Sequence, residues 1–146
     1  MKKIEINYRP RRFRIVIRRW NHIPVVGGIK VQYNNGMVLE YGGRPTNEDK
    51  FVSEHEFCLD ENEVITKVVV RSAWLIDSLT FITNLGHTFG PFGGRGGIER
   101  ISVPDIYPAY LHSFGGKEVL TQGEYGITFL SFKWVAYKSG PYENID

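Results

Sequence analysis

The sequence predicts an all-β fold of about ten to twelve short strands, arranged as a sandwich or barrel-like domain. Three observations carry this. Apolar residues alternate with polar ones at a period of two along most of the chain. Turn residues interrupt that alternation at short intervals, and 16 Gly and 7 Pro in 146 residues are a density that argues against helices. No segment carries apolar residues at i, i+3 and i+4 over a useful length.

Ile4 to Tyr8 alternates and reads as a short strand, broken by Arg9-Pro10-Arg11-Arg12. Phe13, Ile15 and Ile17 then alternate with Arg14, Val16 and Arg18, and Trp20 to Val26, with Pro24 inside it, reads as a turn. Ile29, Val31 and Tyr33 lead to Asn35-Gly36, a type I′ hairpin signal, and Met37 to Tyr41 returns. A polar loop runs from Gly42 to Lys50, followed by a strand from Phe51 to Leu59 and the acidic turn Asp60 to Glu63. Val64 to Arg71, Leu75 to Thr83, His87 to Phe92 and Ile98 to Val103 are the next strands, with a turn at Asn84-Leu85-Gly86. Ala109 to Phe114 and the aromatic Ile127 to Tyr137 close the set, separated by a loop punctuated by Gly115-Gly116 and Gly123.

Length and composition bound the rest. A chain of 146 residues with 42% hydrophobic content suits one domain with one core. No apolar run approaches the ~18 residues of a membrane-spanning helix, so no membrane insertion is expected. The N-terminus is charged and lacks an apolar h-region, so it does not read as a signal peptide; the compartment stays open. Cys58 is the single cysteine, which rules out an intrachain disulfide. The net charge of +2 hides an asymmetry: residues 1–20 hold eight Lys/Arg and one Glu, leaving ten Lys/Arg and fifteen acids beyond. That basic arm is either a charge-guarded edge strand or a surface for sulfate and phosphate groups. No nucleic-acid partner and no cofactor are expected.

Chemistry-bearing patterns are sparse. His55 and Cys58 have H-x-x-C spacing but point to opposite faces of a strand, so no metal is expected. No G-x-S-x-G motif or nucleophile–base pair appears, and no enzyme activity is expected. What stands out is Val70 to Ile98, where Asp77 precedes a hairpin and the loop Gly93-Gly94-Arg95-Gly96-Gly97 follows it. A carboxylate accepts hydrogen bonds from hydroxyls, and bare glycine amides donate them while allowing close approach. That pairing suits a polyhydroxylated ligand. A phosphate loop would need a following helix and a G-K-[ST] ending, and Ile98-Glu99-Arg100 supplies neither. Asp77 as a plain turn residue and the glycines as a tight sheet corner are the simpler alternatives.

The stretch has weaker counterparts. Three blocks each read as strand, turn, strand, hairpin, strand and Gly-rich loop, with loops at 42–45, 93–97 and, less clearly, 115–118. Only the middle block keeps both an Asp and two glycine pairs.

The run V-R-S-A-W-L-I-D-S-L-T-F-I-T-N-L-G-H-T-F-G-P-F-G-G-R-G-G resembles the central segment of jacalin-related lectins, nearest to griffithsin-like mannose-binding members with G-G-x-G-G loops. T-N-x-G-x-x-F-G-P-F-G-G is its most specific part. The resemblance covers residues 13–137, strongly over 57–97. It implies a β-prism I of three four-stranded Greek-key sheets with pseudo-threefold symmetry, and binding of mannose- or glucose-type glycans without catalysis. It places the lectin domain at 13–138, between an N-terminal arm or edge strand (1–12) and a tail (139–146).

Carried over by position, the resemblance assigns Asp77 to the sugar O4 and O6 hydroxyls, Leu75 and Ile76 as backbone donors, and Gly97 with Gly96 to O3. Trp74 could stack on a sugar ring, and Arg95 could meet an acidic substituent. Ala73 stands where the family has Gly; a positive φ there would cost about 1 kcal/mol. In the first block the Asp position falls at Gly27 and the second glycine pair becomes Pro45-Thr46; in the third it falls at about Thr128. The N-terminal glycine loop that most members use is replaced by Tyr8-Arg9-Pro10-Arg11-Arg12, and Glu124 is a carboxylate of poor spacing near the third block. One working site is therefore expected, together with a homodimer through an exposed edge or an exchanged strand. The other expectation is a β-prism that has lost sugar binding and serves assembly, or binds sulfated polysaccharide through its arm.

Overall fold

The computed structural model describes residues 4–5 and 9–139. They form twelve strands: β1 (Ile4–Glu5), β2 (Pro10–Trp20), β3 (Ile23–Tyr33), β4 (Val38–Gly42), β5 (Phe51–Cys58), β6 (Ile65–Ser72), β7 (Ile76–Thr83), β8 (Thr88–Gly93), β9 (Ile98–Ser102), β10 (Ala109–Thr121), β11 (Glu124–Ala136) and β12 (Lys138–Ser139). A 3-10 turn at Glu48–Lys50 is the only helical element among the described residues. Two sheets, ordered β4-β3-β2-β5 and β8-β7-β6-β9, share one antiparallel Greek-key plan. The β10–β11 hairpin makes the third side, and β1 pairs with β12 in a separate ladder. This is the expected β-prism I. Two of its sides are four-stranded; the third shows two strands among the described residues, because Ile4–Glu5 pairs with β12 and not with β11.

Alternation along the strands explains the sidedness. Phe13, Ile15 and Ile17 of β2 face the interior while Arg12 and Arg14 face out. The same pattern puts Ile29, Val31, Phe57, Ile65, Val68, Leu79, Phe81 and Ile127 into one core. Phe57 is stacked on Phe13 at 4.8 Å and on Phe89 at 4.3 Å. Each such side chain, fully buried, contributes about 1.5–3 kcal/mol.

Several boundaries differ from the sequence reading. Pro10–Arg12 belong to β2, so the first sheet starts before residue 13; residues 1–3, 6–8 and 140–146 of the expected arm and tail lie outside the described residues. The turn expected over Trp20 to Val26 is only Asn21-His22, because Pro24 lies within β3 and pairs with Arg19. Gly115-Gly116 lie within β10, paired with Ser131 and Leu130, and the turn is Gln122-Gly123. At Asn35-Gly36 only Gly36 has positive φ, so the turn is not type I′. Tyr33 and Met37 instead close a three-residue loop, in which the Gly36 amide donates to Tyr33 O. Asn84-Leu85-Gly86 repeats that loop, with Gly86 N donating to Thr83 O.

The most informative irregularity is a β-bulge that recurs once per side. Val16 pairs with Gly28 and Ile17 with Val26, which leaves Gly27 unpaired. Arg71 pairs with Ser78 and Ser72 with Ile76, which leaves Asp77. Lys117 pairs with Phe129 and Glu118 with Ile127, which leaves Thr128. A bulge re-aims the side chain of its extra residue. The pseudo-threefold relation read from the sequence thus appears in backbone register, at the three positions where an Asp was sought.

Candidate functional site

The site is built on the middle bulge. Asp77, released from the β6–β7 ladder, points its carboxylate at the loop joining β8 to β9. A Cβ placed on Gly96 would lie 2.8 Å from Asp77 Oδ1, and one on Gly97 would lie 2.6 Å from Oδ2. Gly97 also has φ +78°. Both glycines are therefore required for the loop to approach the carboxylate. Asp77 is only 6% exposed, and its Oδ2 has no hydrogen-bond partner. Burial pushes the carboxyl above the usual range, against the opposing pull of the Ala73 amide and the Arg71 guanidinium.

Arg71 orients the loop. Its Nε donates to Gly96 O at 3.1 Å and its Nη2 to Gly97 O at 2.9 Å. Because a trans peptide is planar, a carbonyl turned toward Arg71 turns the next N–H the opposite way. The Gly97 and Ile98 amides are thereby aimed away from Arg71. Arg71 also lies 3.9 Å from Glu99. In the sequence Arg71 stands out only as part of the V-R-S match, with no role attached to it.

The remaining assigned residues divide. Leu75 and Ile76 are buried, so they can reach a ligand only through their backbone. Gly93 ends β8 opposite Ser78, and Gly94 holds the loop in place: Gly94 N donates to Asp77 O at 2.8 Å, and Gly94 packs on Pro24 of the neighbouring sheet. Trp74 is half exposed and its ring lies 5.3 Å from Trp20, tying the Asp77 turn to the β2–β3 turn. Arg95 is exposed at the loop tip. Ala73 carries no left-handed strain, since Asn21, His22 and Gln122 are the only non-glycines with positive φ among the described residues. From Ser72, Ala73 and Ile98 a groove of about 430 Å³ runs between β9 and β11, along the edge of β11 that corresponds to the edges covered by β4 and β8.

Elsewhere, Asp60, Glu63 and His87 bring ligating atoms within 4.8 Å of one another. Glu63 there already accepts from the Asp60 amide and the Thr83 hydroxyl and contacts His87 Nδ1 at 2.6 Å, which accounts for the cluster structurally. Within the basic segment, Arg12 pairs with Glu56 and Arg14 with Glu54, Arg9 donates to Glu63 O, and Arg18 is fully buried.

The fold is a β-prism I in which a carboxylate faces a glycine loop. The model of the jacalin-like lectin domain matches residues 8–122, and the chain belongs to that family of carbohydrate-binding lectins. No curated protein matches it in sequence. Among solved structures, a prostate-specific WGA16 glycoprotein lectin is 20% identical, with a TM-score of 0.67 over 94% of this chain and 91% of that one. A mannose-binding lectin from Champedak is 22% identical, with a TM-score of 0.63 over 87% and 82%. Frutalin from Artocarpus incisa, in complex with galactose, is 18% identical, with a TM-score of 0.64 over 87% and 92%. At these identities the likeness concerns the fold.

Proposed function

We propose that the chain binds mannose- or glucose-type glycans reversibly at Asp77 and the Gly96–Gly97 amides, without catalysis. The observation that carries this is the unpartnered Asp77 Oδ2 against the glycine loop. It is an acceptor beside an amide turned away from Arg71, the pairing that vicinal sugar hydroxyls require. Leu75 and Ile76 contribute backbone donors, Trp74 an apolar wall, and Arg95 a contact for ring substituents. The griffithsin-like, mannose-specific reading rests on the G-G-R-G-G loop and on an Asp placed to read an equatorial O4. A single shallow site of this kind binds a monosaccharide with a Kd of about 1 mM, about −4 kcal/mol, so retention depends on multivalent presentation.

The test is retention on mannose resin beside galactose resin, for the parent and Asp77→Ala. The parent is retained on mannose and the variant flows through with its fold intact by circular dichroism. Equal behaviour of the two proteins sinks the site assignment; retention on galactose alone sinks the specificity.

A further inference from the structure

We propose that the first-block loop Gly43–Asn47 is a carboxylate-binding site whose resident ligand is the chain's own Glu124. The loop is the counterpart of Gly94–Ile98. Gly43 N donates to Gly27 O at 3.0 Å as Gly94 N donates to Asp77 O at 2.8 Å, and Gly28 pairs with Gly42 as Ser78 pairs with Gly93. By that register Thr46 and Asn47 stand where Gly97 and Ile98 stand in the middle block. Their backbone amides and the Thr46 hydroxyl are all taken by one side chain. Glu124 accepts from Thr46 N at 3.1 Å, Thr46 Oγ1 at 2.7 Å and Asn47 N at 2.7 Å. Glu124 begins β11 on the adjoining side of the prism and is 7% exposed.

The chemistry of the two loops differs in one respect that decides their ligands. The middle block combines amide donors with an acceptor, Asp77. The first block has Gly27 in that place, and the Arg18 stem fills the volume: a Cβ on Gly27 would lie 2.7 Å from Arg18 Cγ. Arg18 is fully buried, its three guanidinium nitrogens have no hydrogen-bond partner, and Glu124 is the acid whose charge acts on it. Lys50, which donates to Gln122 O next to Glu124, adds a second cation. Amides, a hydroxyl and two cations offer several donors and no charged acceptor. Such a site takes an anion with several acceptor oxygens, a carboxylate, and not a neutral sugar.

Removing the Glu124 side chain should leave a vacancy that a small carboxylate refills. The experiment is thermal unfolding at pH 7 of the parent and Glu124→Ala, titrated with sodium acetate against sodium chloride at equal ionic strength. The Ala variant melts roughly 5 °C or more below the parent. Acetate raises its Tm saturably beyond chloride, while the parent shows no acetate-specific rise. The same acetate-specific shift in both proteins, or in neither, overturns the proposal. If Glu124→Ala does not fold, the crystal structure of Glu124→Gln serves. The amide oxygen of the substituted side chain should stay on the Asn47 amide; a side chain turned to solvent above an unchanged loop overturns it.

Discussion

Gly97 lies so close to Asp77 that a methyl group on its α-carbon would come within 2.6 Å of Asp77 Oδ2. The same methyl group would lie 2.5 Å from the Ser72 carbonyl carbon, and the backbone there has φ +78°. Gly97→Ala therefore combines strain with a clash against backbone that cannot yield. A loss of about 1–3 kcal/mol is expected by chemical denaturation, together with loss of glycan retention. Gly43→Ala is the matched control: a Cβ there meets nothing within 4 Å, so its stability should stay within about 0.5 kcal/mol of the parent.

Asp77→Asn separates stability from binding. Burial raises the folded-state pKa of Asp77 above its ordinary value of 3.8. Between the unfolded and folded values the native state holds the extra proton, so stability falls as pH rises through that window and the cost is complete above it. The Asn variant removes the buried charge. It should melt at a higher temperature than the parent at pH 7, with the difference closing toward about pH 3, while glycan affinity drops at least about tenfold. A parent that is the more stable protein at pH 7 would contradict this account of the carboxylate.

Glu63 behaves in the opposite sense. Burial raises its pKa, but hydrogen bonds from the Asp60 amide, Thr83 and His87 outweigh that and hold it below its ordinary value of 4.5. A depressed folded-state value gives stability that is present above the unfolded pKa and lost as pH falls through the folded one. Glu63→Gln should cost about 1–3 kcal/mol at pH 7, read from urea unfolding, with the gap to the parent narrowing below pH 4.5.

Restoring an Asp at the first block should not create a second sugar site. Gly27→Asp drives a Cβ into the Arg18 stem, and Glu124 already fills the loop opposite. The expected result is a lower Tm and unchanged glycan stoichiometry by calorimetry. A doubled stoichiometry would show that Arg18 and Glu124 yield.

Much of this protein was legible in one dimension because a strand's side-chain period is two. Phe13, Ile15 and Ile17 announced an inward face, and that face is buried. The three positions compared as Gly27, Asp77 and Thr128 proved to be the three bulged residues, since a tandem repeat keeps its register. Boundaries were read less well. Pro10 and Pro24 looked like breaks, yet both lie in paired strands. Glu124 looked like a poorly spaced acid for the third block; it serves the first, because hairpins from adjoining sides of a prism meet at its end and sequence distance does not record that.

The residue types of the candidate site are read from the sequence alone. One Asp, one turn and four glycines define what could accept and donate, and the absence of the Asp from the other two blocks limits the count. Tertiary structure decided which of those groups are free. Arg71 draws the middle loop's carbonyls toward itself, while Glu124 closes the first loop from another sheet. Those are contacts between segments 25 to 78 residues apart. Local pattern does not encode them; the pairing of β6 with β9 and the packing of adjoining sides around one core bring them within hydrogen-bonding range.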